Sequence, residues 1–336
     1  MKKVTIFKSA VIALIACVGF VACSTESIET PPDPEPQPET YTVKLGWAGE
    51  ILDVSYEPMA TRAATDDLYG IQVYSKAKSA SSSTDWAPYA YGLFDDPSNI
   101  TITLASGHKY KFVATMVKDG KNRIRIVSDY YGGGYSSPFI SGSYTKLSDK
   151  FYYDATSEMG DSFGWGYADL TDNHWWRPNI ERFYGELSDY IPDGSSNAKI
   201  DMKRTVFGAR FVIGGKLAVD GKLEIQIDEA PKMELALTDG ADEISDIFTF
   251  YYVKAAWAKD DYTEDVNVAF KWLRTDGTSK PLGTHKITFK RNTTTIVEVN
   301  IDKDGNDEGV DLDIPDSETG DLAEGDTVTI NDGEMQ

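Results

Sequence analysis

The chain is 336 residues long and carries 33 Lys and Arg against 54 Asp and Glu, a formal charge of −21 with its three histidines neutral. That balance excludes a nucleic-acid binder, which needs a basic footprint, and two cysteines exclude a disulfide-stapled scaffold or a Cys-rich zinc site. At 41% hydrophobic residues the chain can still build one large or two medium cores.

Lys2, Lys3 and Lys8 precede an uncharged apolar run from Ala10 to Ala22. A basic start and a run this short fit an export signal and fall short of a comfortable bilayer span. Leu14-Ile15-Ala16-Cys17 and Phe20-Val21-Ala22-Cys23 both resemble a lipobox, in which a cysteine is lipidated before cleavage. Residue type at the first position favours Cys17, but cleavage there would leave an apolar core of about six residues, below the roughly 7–15 of a working signal. Cys23 keeps a full core and is followed by the polar Ser24-Thr25-Glu26. The expectation is a signal over residues 1–22 and lipidation at Cys23, with Cys17 and an unlipidated secretory signal as the alternatives. Acyl chains contribute about 0.8 kcal/mol per buried CH₂, so a multiply acylated Cys23 would hold the protein at a membrane. Over residues 23–40, Pro31, Pro32, Pro34, Pro36 and Pro38 alternate with acidic residues. This segment reads as a semi-rigid stalk of about 3.1 Å per residue.

From Tyr41 the chain reads as β structure. Tyr41–Trp47 alternates Tyr, Val, Leu and Trp with Thr, Lys and Gly, and Gly70–Tyr74 and Ile100–Leu104 follow as short strands. Tyr110, Phe112, Ala114 and Met116 share a face opposite Lys109 and Lys111, predicting a strand with one buried side. Asp119-Gly120 predicts a hairpin turn into Arg123–Val127. Between Tyr130 and Trp176 lies an aromatic and Gly-rich stretch without clear period. Pro178 then opens a predicted helix, in which Ile180, Phe183, Tyr184, Leu187 and Ile191 fall on one face, although Gly185 weakens it. A turn-rich boundary spans Ile191–Asn197. Thr205–Ile213, Lys222–Ile227, Ile247–Val253, Val266–Trp272, His285–Phe289 and Thr294–Ile301 are further predicted strands. The expected fold is mainly β: two tandem antiparallel β-sandwiches of transthyretin-like type, over 41–195 and 196–301, with one short helix. Residues 302–336 form an acidic tail. Residues 301–336 hold nine Asp and four Glu against one Lys, with Thr327–Ile330 the one strand-like piece, which predicts a loosely attached segment.

Catalytic constellations do not assemble from these residues. Gly160-Asp161-Ser162-Phe163 has the look of an esterase nucleophile block, but no strand precedes it and neither His174 nor His285 has an Asp three positions upstream. His108, His174 and His285 lack metal spacing. Asp302, Asp304 and Asn306 stand at positions 1, 3 and 5 of a calcium-type loop; the sixth position is Asp307 and the twelfth Asp313, so a solvated turn is the simpler reading. No cofactor is expected. Trp165, Trp175 and Trp176, among Tyr130, Tyr131, Tyr135, Tyr152, Tyr153 and Tyr167, are candidate ligand-binding aromatics able to stack on sugar rings, with core packing and loop pinning as the commoner use of such residues.

Three local patterns carry a resemblance: Met59-Ala60-Thr61-Arg62-Ala63; Lys203-Arg204 leading into Thr205–Ile213, with Gly221-Lys222-Leu223-Glu224-Ile225 beyond; and Lys290-Arg291-Asn292-Thr293 before Thr295–Ile301. With the lipobox, stalk and paired sandwiches, they make the chain similar to the fimbrillin superfamily of Gram-negative surface lipoproteins, which includes pilus shaft, tip and anchor subunits. The resemblance implies a non-enzymatic protein, lipid-anchored in the outer membrane and exposed at the cell surface, whose partners are other fimbrial subunits or a host or bacterial surface ligand. It also implies Arg62 as a candidate protease cleavage residue. In shaft subunits of that family an arginine-specific protease removes the first strand, and a neighbouring subunit's strand fills the groove. Cutting after Arg62 would release Tyr41–Leu52, with Val43, Leu45 and Trp47 as slot residues; an anchor subunit would keep the strand and its lipid. The acidic tail favours an anchor or accessory subunit over a shaft subunit. Asp326-Thr327-Val328 also fits a glycosylation pattern used by some of these bacteria. A surface glycan-binding lipoprotein using residues 130–176 is the alternative function.

Overall fold

Alternation of apolar and polar residues along the first strand sets the frame for the first β system. The computed structural model describes residues 39–52, 66–82, 85–128, 132–159, 167–171, 173–195, 197–214, 221–237 and 242–300, and the backbone of 323–331. The first system contains β1 (Thr40–Gly49), β2 (Leu68–Ala77), β3 (Ala87–Phe94), β4 (Thr101–Ala105), β5 (His108–Val117), β6 (Ile126–Val127), β7 (Gly134–Tyr135), β8 (Tyr152–Tyr153), β9 (Tyr167–Ala168), β10 (His174–Trp175), β11 (Arg182–Tyr190) and β12 (Asn197–Arg204). Eight of these form one sheet in the order β4-β1-β12-β11-β5-β2-β3-β8, while β6–β7 and β9–β10 are separate two-stranded ribbons. The long sheet folds back on itself. Val43 and Leu45 of β1 and Ile200 and Met202 of β12 share a core with Ile71 and Val73 of β2 and Phe112 and Ala114 of β5.

The outer face of the same sheet is buried too. Leu68, Val113, Val117 and Tyr184 lie under Ile124, Phe139, Met159, Tyr167 and Ile180 from the long connection between β5 and β11. Three expectations change for that reason. From Phe112 onward β5 is buried on both faces, not one. The helix expected after Pro178 is the strand β11: Phe183 enters the inner core and Tyr184 the outer layer, so apolar residues on opposite faces mimic a helical stripe. Gly185 is needed there, because a Cβ would stand 2.4 Å from the Asp201 carbonyl oxygen of β12. Asp119-Gly120 does not close a hairpin. The Asp119 N–H donates to the Asp67 carboxylate (2.9 Å), the chain makes the single turn α1 (Gly120–Arg123), and β6 pairs with β7.

The second system is a two-sheet sandwich. It contains β13 (Val206–Gly214), β14 (Lys222–Ile227), β15 (Met233–Ala236), β16 (Glu243–Thr249), α2 (Val253–Ala258), β17 (Thr263–Leu273), β18 (Ser279–Lys290), β19 (Thr293–Asn300) and β20 (Ala323–Asn331). The sheets β16-β13-β19-β20 and β15-β14-β17-β18 enclose one core, in which Phe207 and Phe211 meet Phe289 and Phe270. Between the named strands, pairing is antiparallel except at β1–β12, β13–β19 and β19–β20, and an isolated parallel bridge joins Leu93 to Leu147. The mainly β sandwich architecture expected from the sequence is thus observed.

Beyond the turn at 191–197, β12 returns to the first system, pairing with β1 and β11. The acidic tail is not all unattached, since Ala323–Asn331 adds as a parallel edge strand to β19. The strand expected over Ile247–Val253 stops at Thr249, and Val253 of α2 packs into the outer layer of the first sheet.

Candidate functional site: the first strand and the junction

β1 lies between two strands that are distant from it in sequence. It runs antiparallel to β4, with Val43 opposite Ile102, and parallel to β12, with Leu45 opposite Ala198. Val43 and Leu45 are each 1% exposed and Trp47 is 8% exposed. The Trp47 ring lies 5.4 Å from that of Tyr69, and its indole N–H donates to the Pro97 carbonyl (3.3 Å). These are the three slot residues read from the sequence. Were β1 absent, a groove would open between β4 and β12, walled by Ile102, Leu104, Ala198, Ile200 and Met202.

On its far side β4 has no strand partner among the described residues; tyrosine hydroxyls take that place. Tyr89 Oη donates to the Thr103 carbonyl (2.8 Å), and the Thr103 N–H donates to Tyr153 Oη (2.9 Å). The Ala105 N–H donates to Tyr110 Oη (2.8 Å), which in turn donates to the Ala105 carbonyl (3.1 Å). The three rings pack edge-on, with Tyr89 5.2 Å from Tyr110 and 5.6 Å from Tyr153. Burial, then the neighbouring phenols, holds the Tyr89 hydroxyl well above the usual tyrosine pKa, and burial also raises that of Tyr110.

At its other end β1 reaches the second system. Gly49, at φ +78°, turns the chain tightly against β12, where a Cβ would stand 2.8 Å from the Met202 carbonyl oxygen. The next residue, Glu50, accepts the Arg204 N–H (2.7 Å) and a two-pronged contact from Arg291, at 2.7 and 3.0 Å. Arg204 pairs separately with Glu181 (2.9 Å). A second seam lies along residues 176–180. Trp176 stacks on Tyr251 at 5.1 Å, and Arg177 pairs with Glu264 (2.8 Å) while its guanidinium sits 5.3 Å from the Tyr251 ring. The Thr249 N–H donates to the Pro178 carbonyl (2.9 Å).

Of the sequence-derived site residues, Cys17, Cys23, Arg62, Trp165, Ser162, Asp302, Asp304 and Asn306 lie outside the described residues, as do Tyr130 and Tyr131. Trp175 is half-buried and donates its indole N–H to the Asp169 carboxylate (3.0 Å), and Trp176 is half-buried in the junction. These two neighbouring tryptophans thus serve different contacts. Among the described residues there is no group of three metal-ligating side chains, and no helix is long and apolar enough to cross a membrane. Glu50, Arg177 and Tyr89 were not singled out from the sequence; Tyr110 was read there only as a core residue of its strand, and Tyr153 only as one of the aromatics around the tryptophans. Arg204 and Arg291 were singled out, as parts of family-like patterns, and both prove to be junction residues.

No protein-family model matches the chain, and no curated protein matches it. Solved structures similar to it include a candidate adhesin from Bacteroides ovatus ATCC 8483, with 12% identity over 88% of this chain and 99% of that chain and a TM-score of 0.37. The fimbrial anchor protein Mfa2 from Porphyromonas gingivalis has 7% identity over 74% of this chain and 82% of that one, with a TM-score of 0.31. The tip fimbrial protein Mfa3 from the same organism, C-terminally truncated, has 10% identity over 73% and 81%, with a TM-score of 0.25. Among the structural neighbours of this chain are thus candidate adhesins and fimbrial proteins.

Proposed function

We propose that the chain is a surface-exposed, lipid-anchored fimbrillin-like subunit, an anchor or accessory component that joins other fimbrial subunits in cell adhesion through β-strand addition. The observation that carries this reading is the position of β1. It is the first of the described strands, its three core side chains fill a slot between β4 and β12, and it is joined to β2 by the segment 53–65 that contains Arg62. A chain cut after Arg62 would hold β1 only by hydrogen bonds, packing and the Glu50–Arg291 ion pair. Release would expose two sheet edges and an apolar groove, which a strand from another subunit would satisfy with backbone hydrogen bonds and alternating side chains.

Limited digestion of the folded protein by trypsin, read by N-terminal sequencing and size-exclusion chromatography, tests the mechanism. Selective cutting after Arg62 followed by oligomers supports it; a cut chain that keeps β1 docked and stays monomeric counts against it. Anchoring is tested separately by metabolic labelling with palmitate, expected to be lost in Cys23→Ser and retained in Cys17→Ser.

A further inference from the structure

Arg291 is fixed by atoms that do not belong to β1. Its side chain is 4% exposed, and it donates to the carbonyls of Arg204 (2.9 Å), Lys259 (3.2 Å) and Asp260 (3.4 Å). The Asp260 carboxylate is 3.7 Å away, strongly exposed, and already paired with Lys203. What remains is a fork of Nη1 and Nη2 aimed at Glu50, flanked by the Arg204 backbone N–H. Three donors converge on two oxygens, the geometry that a planar guanidinium offers to a carboxylate and that a neutral amide cannot match at both prongs. The receptor belongs to β12 and to the β18–β19 turn; its ligand belongs to the segment that ends β1.

Taking β1 as the exchangeable strand, as proposed above, we infer that Arg291 and the Arg204 N–H form a carboxylate receptor that screens whatever strand occupies the slot. Glu50 is its resident ligand. A replacement strand is accepted when an acidic side chain follows its apolar alternation at the place of Glu50, and is disfavoured when that position is neutral, because the buried guanidinium then loses its two-pronged counter-charge and keeps only the exposed Asp260 carboxylate that it shares with Lys203. The partner chemistry is therefore an acidic segment at the end of an alternating apolar strand. Slot shape alone would accept any strand with side chains like Val43, Leu45 and Trp47; the receptor adds a charge requirement at one end.

Two measurements test this. In the full chain, Glu50→Ala is melted in sodium formate and in sodium chloride of equal ionic strength, beside wild type and the double variant Glu50→Ala with Arg291→Met. Formate is expected to raise the melting temperature of Glu50→Ala alone, by occupying the vacated fork. The second measurement does not depend on that variant folding. A specific protease site is placed within 53–65, the chain is cut, β1 is displaced in mild denaturant, and synthetic peptides of residues 39–52 are offered after dilution. The native peptide is expected to bind about 30-fold more tightly than its Glu50→Gln version, and Arg291→Met in the receiving chain should erase the difference. Equal binding of the two peptides overturns the inference and leaves strand exchange standing. Formate rescue without binding of either peptide supports the receptor and overturns the reading of β1 as exchangeable.

Discussion

Replacing Tyr110 by Phe removes one hydroxyl and leaves the ring. Tyr110 is fully buried, and its hydroxyl both accepts the Ala105 N–H and donates to the Ala105 carbonyl, so the variant strands a donor and an acceptor on β4. Leaving a buried polar group unpaired costs about 1–3 kcal/mol. Ala105 is only half-buried, so water can recover part of this, and about 1.5 kcal/mol is expected for Tyr110→Phe. Tyr89→Phe is the matched control. It removes a donor to the carbonyl of Thr103, an exposed residue, and should cost less than about 0.5 kcal/mol. Hydrogen exchange gives the local readout. The Ala105 amide should exchange roughly tenfold faster in Tyr110→Phe, with amides of β17 and β18 unaffected. If Tyr110→Phe costs no more than Tyr89→Phe, or if Ala105 keeps its protection, the tyrosines do not hold the outer edge of β4.

Gly185→Ala should lower the denaturation midpoint by an amount equivalent to about 1–3 kcal/mol, because its methyl would enter the space of the Asp201 carbonyl oxygen; an unchanged midpoint would mean that β11 and β12 separate freely. Trp176→Ala should loosen the junction, seen as faster proteolysis near 176–180. Because that ring is stacked on Tyr251, native gels containing polysaccharide should show the same mobility for variant and wild type. At high pH, burial lifts the Tyr167 hydroxyl to about 12. Its folded pKa lies above the unfolded value near 10, so its contribution is complete below pH 10 and is lost as pH climbs toward 12. The slope is at most about 1.4 kcal/mol per pH unit, and Tyr167→Phe should flatten it in alkaline denaturation curves.

What was legible in the sequence was legible because one face of a strand meets water. Val43, Leu45 and Trp47 alternate with solvent-facing residues, and β17 alternates in the same way from Thr263 onward, so both read as strands. β11 did not, because Phe183 and Tyr184 are buried on opposite faces of one sheet and local pattern cannot separate two faces from one helical stripe. The turn at 191–197 marks a real loop, but loop composition carries no information about which sheet the next strand joins. β20 was masked by the charge around Thr327–Ile330, which suggests solvation whether or not the backbone pairs. The junction was hidden for another reason. Glu50 and Arg291 are ordinary charged residues until the fold brings them within 2.7 Å, and nothing near either one in the chain marks it as half of a pair.

The pairing of β1 with β12 has a kinetic consequence. Lys44 meets Asn197, so the strand that comes first among those described cannot be enclosed until the chain through Arg204 is available. Non-local parallel pairing of this kind closes a long loop before any contact rewards it, and it is slow compared with the β17–β18 hairpin. For that interval Val43, Leu45 and Trp47 can meet β4 on one side only, and their β12 side is uncovered. If β4 and β12 come together before β1 docks, strand and slot of the same molecule are both open to others, and concentration then competes with self-closure.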